Sequence, residues 1–376
     1  MHLVTPACVR IRGLLRILCI TGLGIALGAG ARAVSAATYY THLTLIDGTG
    51  APAARDMAVV VEGERIRAVQ PSASLEPSPA TGDSVVDLTG KFALPGLIDT
   101  HVHLGTFPNP RIAEANLLRC IYGGITAVRD MAGDARFLAN LSRSALLQEI
   151  PSPDIYYSAL MAGPAFFSDP RTRQSSQGAT PGRVPWLQAI TGKTDMPTAV
   201  ALARGTGASG IKIYADLPAK EVRRIVAEAH RQGLVVWSHA TIFPATPLEA
   251  VKAGVDSISH AYLLGFQGVH PPPGLAVRGR GLDAQSVLND ERELPELFAA
   301  MRERGTILDA TLYVEWSRKD RDDPSSRARL SARWAAQAHR AGVSLSTGTD
   351  SPSDVDDPYP SVQKEMELLV SQAGLT

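Results

Sequence analysis

Two patterns of hydrophobic residues alternate along the chain from about Leu94 onward. Short apolar runs, typical of buried parallel strands, alternate with longer segments in which apolar residues recur every three or four positions, as in amphipathic helices. The clearest helix is predicted over 219–233, where Gly233 marks the end. Eight runs qualify as strands, and they cover 96–104, 125–131, 154–160, 210–216, 234–240, 256–262, 306–314 and 343–350. Eight strand–helix repeats predict an α/β fold, a (β/α)8 TIM barrel over 94–376.

The segment before the barrel has a different pattern. Residues 37–93 contain short stretches that alternate apolar and polar positions or run apolar, punctuated by Gly, Asp and Pro. This pattern predicts short β-strands joined by turns. We therefore expect residues 37–93 to form part of a small β-sandwich domain.

The first 36 residues differ again. They contain four arginines and no acidic residue, and an apolar stretch is followed by the small residues ARAVSAA. This layout predicts a cleaved secretory signal peptide over 1–36, cut near Ala36 or, alternatively, near Ala33. A retained membrane anchor is the competing interpretation, but Arg16 leaves the apolar run short of the ~20 residues that span a bilayer. We expect a secreted, periplasmic protein without a stable membrane anchor after cleavage.

The charge balance argues against one class of partner. Lys and Arg number 37, and Asp and Glu also number 37, so no basic excess favours nucleic acid. Removal of the four leader arginines would leave 33 basic and 37 acidic residues, a mildly acidic protein. It would also leave a single cysteine, Cys120, whose apolar surroundings predict a buried small side chain rather than a nucleophile.

Two long insertions interrupt the predicted barrel, at 162–196 and 263–292, after its third and sixth strands. Loops that follow barrel strands lie on the catalytic face, so we expect both to cover a substrate; plain disorder is the alternative. Arg171, Arg173 and Arg183 could meet a substrate carboxylate, but solvated loop charge is the favoured interpretation.

Residues able to bind a metal or carry charge stand near the ends of several predicted barrel strands. His101 and His103 lie two positions apart, so their side chains share one face of the first strand. In a barrel that face is the interior, and both imidazoles can reach one ion. A pair of this kind alone is more often structural, but further residues accompany it on the fourth, fifth, sixth and eighth strands: Lys212, His239, His260 and Asp350.

Lys212 lies between two isoleucines of a predicted buried strand. Burial disfavours an ammonium group, so this lysine is costly unless it is paired. Tyr214, two residues further on, shares the face of the lysine. Four other histidines lie on helices, before the barrel or in an insertion, and we expect surface or packing roles for them: His42, His230, His270 and His339.

These segments occur in an order that resembles the amidohydrolase superfamily. The matching pieces are LPGLIDTHVHL, IKIYAD, VVWSHA, DSISHA and STGTDSP. The sequence is most similar to the branch that contains imidazolonepropionase-like and Xaa-Pro dipeptidase-like enzymes, and the similarity runs from about Thr41 to Thr376. The resemblance implies a metal-dependent hydrolase that acts on a carbon–nitrogen bond of a small-molecule substrate.

The resemblance also implies a ligand set. His101, His103 and Asp350 would bind one divalent metal ion, and His239 and His260 would bind a second. Lys212 would be carboxylated, and its carbamate would bridge the two ions, which removes the cost of a buried cation. Zinc suits these ligands best, with Mn, Co or Fe as alternatives.

The implied mechanism uses a metal-bound hydroxide. Asp350 would be the general base and would later deliver the proton to the leaving group. Tyr214 would donate a hydrogen bond to the developing oxyanion; a packing role is its alternative. Two other functions stay open: a lactonase or phosphotriesterase that uses the same site, and a truncated, non-catalytic barrel that binds a metal or ligand. A homo-oligomer is compatible with all of these.

Two features depart from the family pattern. Many relatives carry an acid before the histidine of the sixth strand, where this chain has Ser259. Relatives also usually continue beyond the AGLT with which this chain ends, with strands that complete the sandwich. We therefore expect a sandwich that is incomplete at its C-terminal side.

Overall fold

A computed structural model describes residues 36–75, 82–269, 293–317, 326–350 and 359–376. The predicted signal peptide lies outside the described residues except for Ala36. So do His270 and most of the second predicted insertion. The described chain separates into two compact units, which meet in sequence between Leu94 and Pro95.

The first unit contains one five-stranded sheet. Its strands are β1 Ala37–Leu45, β2 Ala54–Glu62, β3 Arg65–Pro71, β4 Ser84–Asp87 and β5 Phe92–Ala93. The order is β3-β2-β1-β4, and β5 also pairs with β1. Strand β1 is antiparallel to β2 and parallel to β4 and β5. Leu43, Ala58 and Val60 are buried in this sheet, whereas Ile66 and Val85 are exposed.

The second unit is a (β/α)8 barrel with a short hairpin inserted, which confirms the predicted fold. Its described strands are β6 Leu97–Val102, β7 Ile125–Asp130, β8 Asp154–Ala162, β9 Arg183–Val184, β10 Leu187–Ala189, β11 Gly210–Ile213, β12 Val235–His239, β13 Ser257–Ser259, β14 Ile307–Asp309 and β15 Leu345–Ser346. All except β9 and β10 form the parallel barrel in chain order. Two hydrogen bonds bring its ends together, from Thr100 N to Thr347 O (3.1 Å) and from Asp350 N to His101 O (2.9 Å).

Helices follow most of the barrel strands. The described α-helices are α1 Pro110–Tyr122, α2 Ala135–Leu146, α3 Pro170–Gln174, α4 Met196–Gly205, α5 Ala219–Arg231, α6 Pro247–Ala253, α7 Pro295–Arg304, α8 Leu312–Trp316, α9 Arg327–Arg340 and α10 Ser361–Ala373. The predicted helix over 219–233 corresponds to α5, which buries Val222 and Ile225. Gly233 follows it with φ 80°, a left-handed conformation that glycine adopts without strain. In the part of the chain that the structure describes, no helix has the length and hydrophobicity to cross a membrane.

The first predicted insertion, 162–196, is folded. Strand β10 pairs in parallel with β8, and β9 pairs with β10. The indole of Trp186 is buried, donates to Ser175 O at 2.8 Å and lies under the guanidinium of Arg136. This segment therefore belongs to the core of the barrel unit; its role in covering a substrate stays a prediction.

The seventh barrel strand is shorter than predicted. A strand was expected through 306–314, but β14 ends at Asp309 and helix α8 begins at Leu312. Thr311 turns the chain with φ 50°. The backbone N–H groups of Leu312 and Tyr313 donate to the carboxyl group of Glu365, on α10. This carboxyl group satisfies the first N–H groups of the helix, which explains why the chain leaves the strand here.

Candidate metal centre

The predicted site residues come together at the carboxyl ends of the barrel strands. His101 and His103 lie at the end of β6 and just beyond it, and Lys212 lies in β11. His239 is the last residue of β12, and His260 directly follows β13. Asp350 follows β15 and Tyr214 follows β11. This end of a barrel is where active sites of the fold are built.

Three of these residues already form a compact donor group. The Nε2 atoms of His101 and His103 lie 3.4 and 3.0 Å from Oδ1 of Asp350. One ligand atom from each residue can be chosen so that all three lie within 4.8 Å of one another. His101 is buried, whereas His103 and Asp350 are 30% and 24% exposed at their side chains. The group is therefore open on one side, as a reaction centre must be.

The backbone holds this group in place. Asp99, buried in β6, accepts hydrogen bonds from His101 N and from both the N–H and the hydroxyl of Thr349. It thus ties the first strand to the loop that carries Asp350. Gly348 lies in the same loop, and an added Cβ at this position would stand only 1.9 Å from Oδ1 of Asp309. A side chain at this position would force the two strand ends apart.

His239 and His260 lie beside this group. The ring of His260 is 4.9 Å from that of His101 and 4.7 Å from that of His239. Nδ1 of His239 is 3.2 Å from the carbonyl oxygen of Thr241, and Nδ1 of His260 is 3.0 Å from the hydroxyl of Thr311. The hydroxyl of Thr241 lies 3.0 Å from the same nitrogen of His239. With Nδ1 donating to the carbonyl oxygen, Nε2 of His239 would be the metal ligand.

Lys212 is the buried cation that the sequence predicted. Its side chain is 1% exposed, and Nζ donates to Oγ of Ser259 at 3.1 Å. Burial lowers the pKa of Lys212 to about 7, although the charges of Asp309 and Asp350 oppose this. A large fraction of this amine is therefore neutral near neutral pH.

The electrostatics of the donor group fit a divalent cation. Burial lowers the pKa of His239 to about 3 and holds that of His260 well below its ordinary value, so both imidazoles are neutral. Burial alone would raise the pKa of Asp350, but its contacts with His101 and His103 outweigh burial and hold the pKa well below the ordinary value. Neutral imidazoles with an ionised carboxylate are the donors that zinc and related ions prefer.

Tyr214 lies against the same group. Its ring stacks on His239 at 4.8 Å and on Phe166 at 4.7 Å. Burial raises the pKa of its hydroxyl, which therefore stays protonated and able to donate. Nη2 of Arg171, which pairs with the buried Asp169, lies 3.4 Å from this hydroxyl. Arg171 thus comes close to the site, whereas Arg173 and Arg183 are exposed.

The residues predicted to lie outside the site do so where the structure describes them. His42 pairs with Asp56 at 2.8 Å, and His230 pairs with Asp256 at 2.9 Å. Cys120 is half-buried, and burial raises the pKa of its thiol to about 12. A thiol of this kind is not a nucleophile near neutral pH.

Sequence reasoning missed one residue of the site, Asp309. This aspartate at the end of β14 is fully buried, and its carboxylate lies 2.7 Å from Nδ1 of His101. The signal was present as an acid within the apolar segment TILDATLYV. A charged residue is rarely buried without a partner, so an acid inside a predicted barrel strand could have been added to the candidates.

Comparison with known families identifies the family of this chain. The sequence profile described as "Amidohydrolase family" matches residues 92–375. The chain belongs to the amidohydrolase family. This confirms the resemblance to the amidohydrolase superfamily that the motifs predicted.

This amidohydrolase shares short segments with two relatives. An imidazolonepropionase from Arthrobacter sp. (strain FB24) is 47% identical over 60 residues, which cover 16% of this chain and 14% of that protein. A dihydroorotase from Thermococcus kodakarensis is 34% identical over 88 residues, which cover 22% of each protein. The matched segments thus span far less than two thirds of either relative.

The fold of this amidohydrolase extends over most of a solved neighbour. The crystal structure of a Xaa-Pro dipeptidase with bound methionine in the active site gives a TM-score of 0.68 at 21% identity. The alignment covers 90% of this chain and 84% of that one. At this identity, the comparison supports the shared barrel architecture.

Proposed function

We propose that this amidohydrolase hydrolyses an amide, cyclic amide or dipeptide bond of a small molecule with the help of one or two divalent metal ions, zinc being the best fit to the donors. The observation that carries this proposal is the convergence of His101, His103 and Asp350, whose ligand atoms lie within 4.8 Å of one another at the catalytic end of the barrel. Family membership supplies the reaction class.

The roles in metal binding divide among six residues. His101, His103 and Asp350 hold one ion. His239 and His260 would hold a second. The neutral amine of Lys212 would add CO2 and release a proton to solvent, and the resulting carbamate would be a ligand for both ions. The position of Lys212 among these residues supports this role, because carbamate formation replaces a buried cation by an anion between two cations.

Two side chains handle the proton and the carbonyl. A bound divalent metal would lower the pKa of a water molecule and polarise the scissile carbonyl. Asp350 accepts the proton of the attacking water on its carboxylate and later delivers it to the leaving nitrogen. The hydroxyl of Tyr214 donates a hydrogen bond to the carbonyl oxygen as negative charge develops there.

The substrate class is supported by the names of similar proteins. An imidazolonepropionase and a dihydroorotase share segments with this chain, and a Xaa-Pro dipeptidase shares its fold. We therefore place cyclic amides and dipeptides first among the candidates. The exposed part of Arg171, next to Tyr214, is where a substrate carboxylate would be met.

The test combines metal analysis with a substrate screen. The purified full chain is loaded with zinc in bicarbonate buffer, and its metal content is measured by mass spectrometry. N-acyl amino acids, Xaa-Pro dipeptides, imidazolones, lactones and aryl phosphotriesters are then assayed beside the Asp350→Asn variant. We expect at least one equivalent of zinc and hydrolysis of a C–N substrate. Turnover of lactones or phosphotriesters alone, or less than one equivalent of zinc, would refute the proposal.

We also propose that the protein is exported to the periplasm and cleaved near Ala36. The composition of residues 1–36, with four arginines and no acid around an apolar stretch, supports this. Cell fractionation and N-terminal sequencing of the exported protein test it. A cytoplasmic protein that retains Met1 would contradict it.

A further inference from the structure

Asp309 is not one of the proposed metal ligands, but its carboxylate contacts several residues of the metal centre. Its carboxylate accepts hydrogen bonds from the hydroxyls of Thr100 (3.0 Å) and Ser259 (2.9 Å) and lies 2.7 Å from Nδ1 of His101. Nη2 of Arg129, a half-buried cation, is 3.5 Å away. Asp309 itself has no exposed surface. An isolated carboxylate would be expensive to bury, so this position is held by its partners.

The contact with His101 fixes the proton on one ring nitrogen. An ionised carboxylate only accepts hydrogen bonds, so Nδ1 of His101 carries the hydrogen. The lone pair is then on Nε2, the atom that faces Asp350 at 3.4 Å. Carboxylate–histidine pairs of this kind orient a metal-binding ring and make it a stronger ligand.

The contact with Ser259 extends to the opposite half of the centre. Ser259 and Asp309 are direct neighbours in the β13–β14 register. The serine hydroxyl has one hydrogen, which it donates to Asp309, and its oxygen then accepts from Nζ of Lys212 at 3.1 Å. A chain of two hydrogen bonds thus joins Asp309 to Lys212.

We propose that Asp309 is the positioning residue shared by both halves of the metal centre: it fixes His101 as the Nδ1–H tautomer and, through Ser259, orients Lys212. The inference deepens the proposed function, because it concerns the same site. The competing explanation is that Asp309 serves only as a counter-charge for Arg129.

Zinc affinity tests this role without any substrate. Asp309→Asn and Asp256→Asn are compared with the wild-type chain by competition with a chromophoric chelator, and thermal melting monitors folding. Asp256 is the matched control, because it also pairs with a histidine, His230. It lies just before the first residue of β13, at the end of that strand opposite to Ser259. We expect Asp309→Asn to weaken zinc binding roughly 10- to 100-fold and Asp256→Asn to leave it unchanged. A folded Asp309→Asn protein with wild-type affinity would overturn the proposal.

An exchange variant separates positioning from counter-charge. Ser259→Asp combined with Asp309→Ser keeps one carboxylate within the same pair of neighbouring residues on β13 and β14. It moves that carboxylate away from Nδ1 of His101. We expect zinc affinity to stay low. Recovery of wild-type affinity would show that the charge alone matters, and the proposal would fail.

A spectroscopic measurement keeps the proposal testable if these variants do not fold. Histidine-selective ¹⁵N NMR of the wild-type chain at neutral pH reports which ring nitrogen of His101 is protonated, and a His101→Asn variant assigns the signal. We expect Nδ1–H with and without zinc. A proton on Nε2 in the metal-free protein would overturn the inference. If the wild-type chain binds no zinc, the proposed function fails, but this tautomer still decides the role of Asp309.

Discussion

The two halves of the metal centre are assembled to different degrees. In one half, His101 and His103 point their Nε2 atoms at the carboxylate of Asp350, at 3.4 and 3.0 Å. In the other half, three polar atoms are engaged with protein groups: Nδ1 of His239 with Thr241, Nδ1 of His260 with Thr311 and Nζ of Lys212 with Ser259.

Charge explains this difference. The first half contains an ionised carboxylate, which attracts a divalent ion as soon as the chain is folded. The second half consists of two neutral imidazoles and an amine, and in the proposed function it gains a negative charge only when Lys212 forms the carbamate. We infer that the first half binds an ion by itself, whereas the second requires a chemical change as well.

The largest effect is expected from Asp350, which belongs to the first half and is also the proposed general base. Asp350→Asn removes the proton acceptor but keeps an oxygen for the metal. We expect kcat to fall about 10²- to 10⁴-fold, while much of the bound zinc is retained. Steady-state kinetics with metal analysis of the same sample checks this. Turnover close to that of the wild type would remove Asp350 from the role of base.

Lys212 tests whether the second half depends on the carbamate. Lys212→Ala should lose the ion of the second half and bind that of the first more weakly, because His101, His103 and Asp350 remain but the bridging ligand is gone. Lys220→Ala, at an exposed lysine of α5, is the control. Zinc content is measured after loading in bicarbonate. The same content in Lys212→Ala and the wild type would contradict the bridging role.

Tyr214 stacks on a ligand of the second half but is proposed to act on the substrate. Tyr214→Phe keeps the stacking on His239 and Phe166 and removes only the hydroxyl. We expect kcat to fall on the order of 100-fold, because one donor to the oxyanion is lost, with zinc content unchanged. An unchanged kcat would leave the residue with a packing role.

Glu365 is expected to affect the free energy of unfolding rather than turnover. It supports the turn at Thr311, whose hydroxyl contacts Nδ1 of His260. Burial raises the pKa of Glu365 to about 8, although the N–H groups of Leu312 and Tyr313 oppose this. In the unfolded chain the same group loses its proton near its ordinary pKa. Between roughly pH 5 and 8 the folded state therefore binds the additional proton, and stability falls as the pH rises.

Glu365→Gln isolates this contribution. Relative to the variant, we expect the free energy of unfolding of the wild type to fall by about 1.4 kcal/mol per pH unit in this window. Denaturant unfolding at several pH values measures it. Parallel pH profiles for the two proteins would show that Glu365 keeps an ordinary pKa.

The sequence alone was enough to predict the site residues whose position depends only on the end of their own strand. His101, His103, His239, His260 and Asp350 could be predicted because barrel topology brings the ends of all strands to one rim, whatever the details of packing. The contacts between strands could not. Ser259 meets Asp309 only because β13 and β14 are in that register, and no pattern within either segment defines it.

The end of β14 could not be predicted from its local sequence either, because a residue far along the chain determines it. The segment TILDATLYV has the composition of one continuous strand. The chain turns at Thr311 because Glu365, more than 50 residues later, accepts the N–H groups of Leu312 and Tyr313. Local propensity was overridden by a tertiary hydrogen bond.

The folded insertion at 162–196 has a consequence for protein engineering. Its strand β10 continues the barrel sheet, and Trp186 anchors it from inside. At its beginning, Gly163 packs so closely that an added Cβ would stand 1.8 Å from the carbonyl oxygen of Asp216. Libraries that aim at new substrates should therefore keep Gly163 and Trp186 constant and diversify exposed positions such as Arg173. The segment can then be varied as a cassette while the barrel that carries it is left intact.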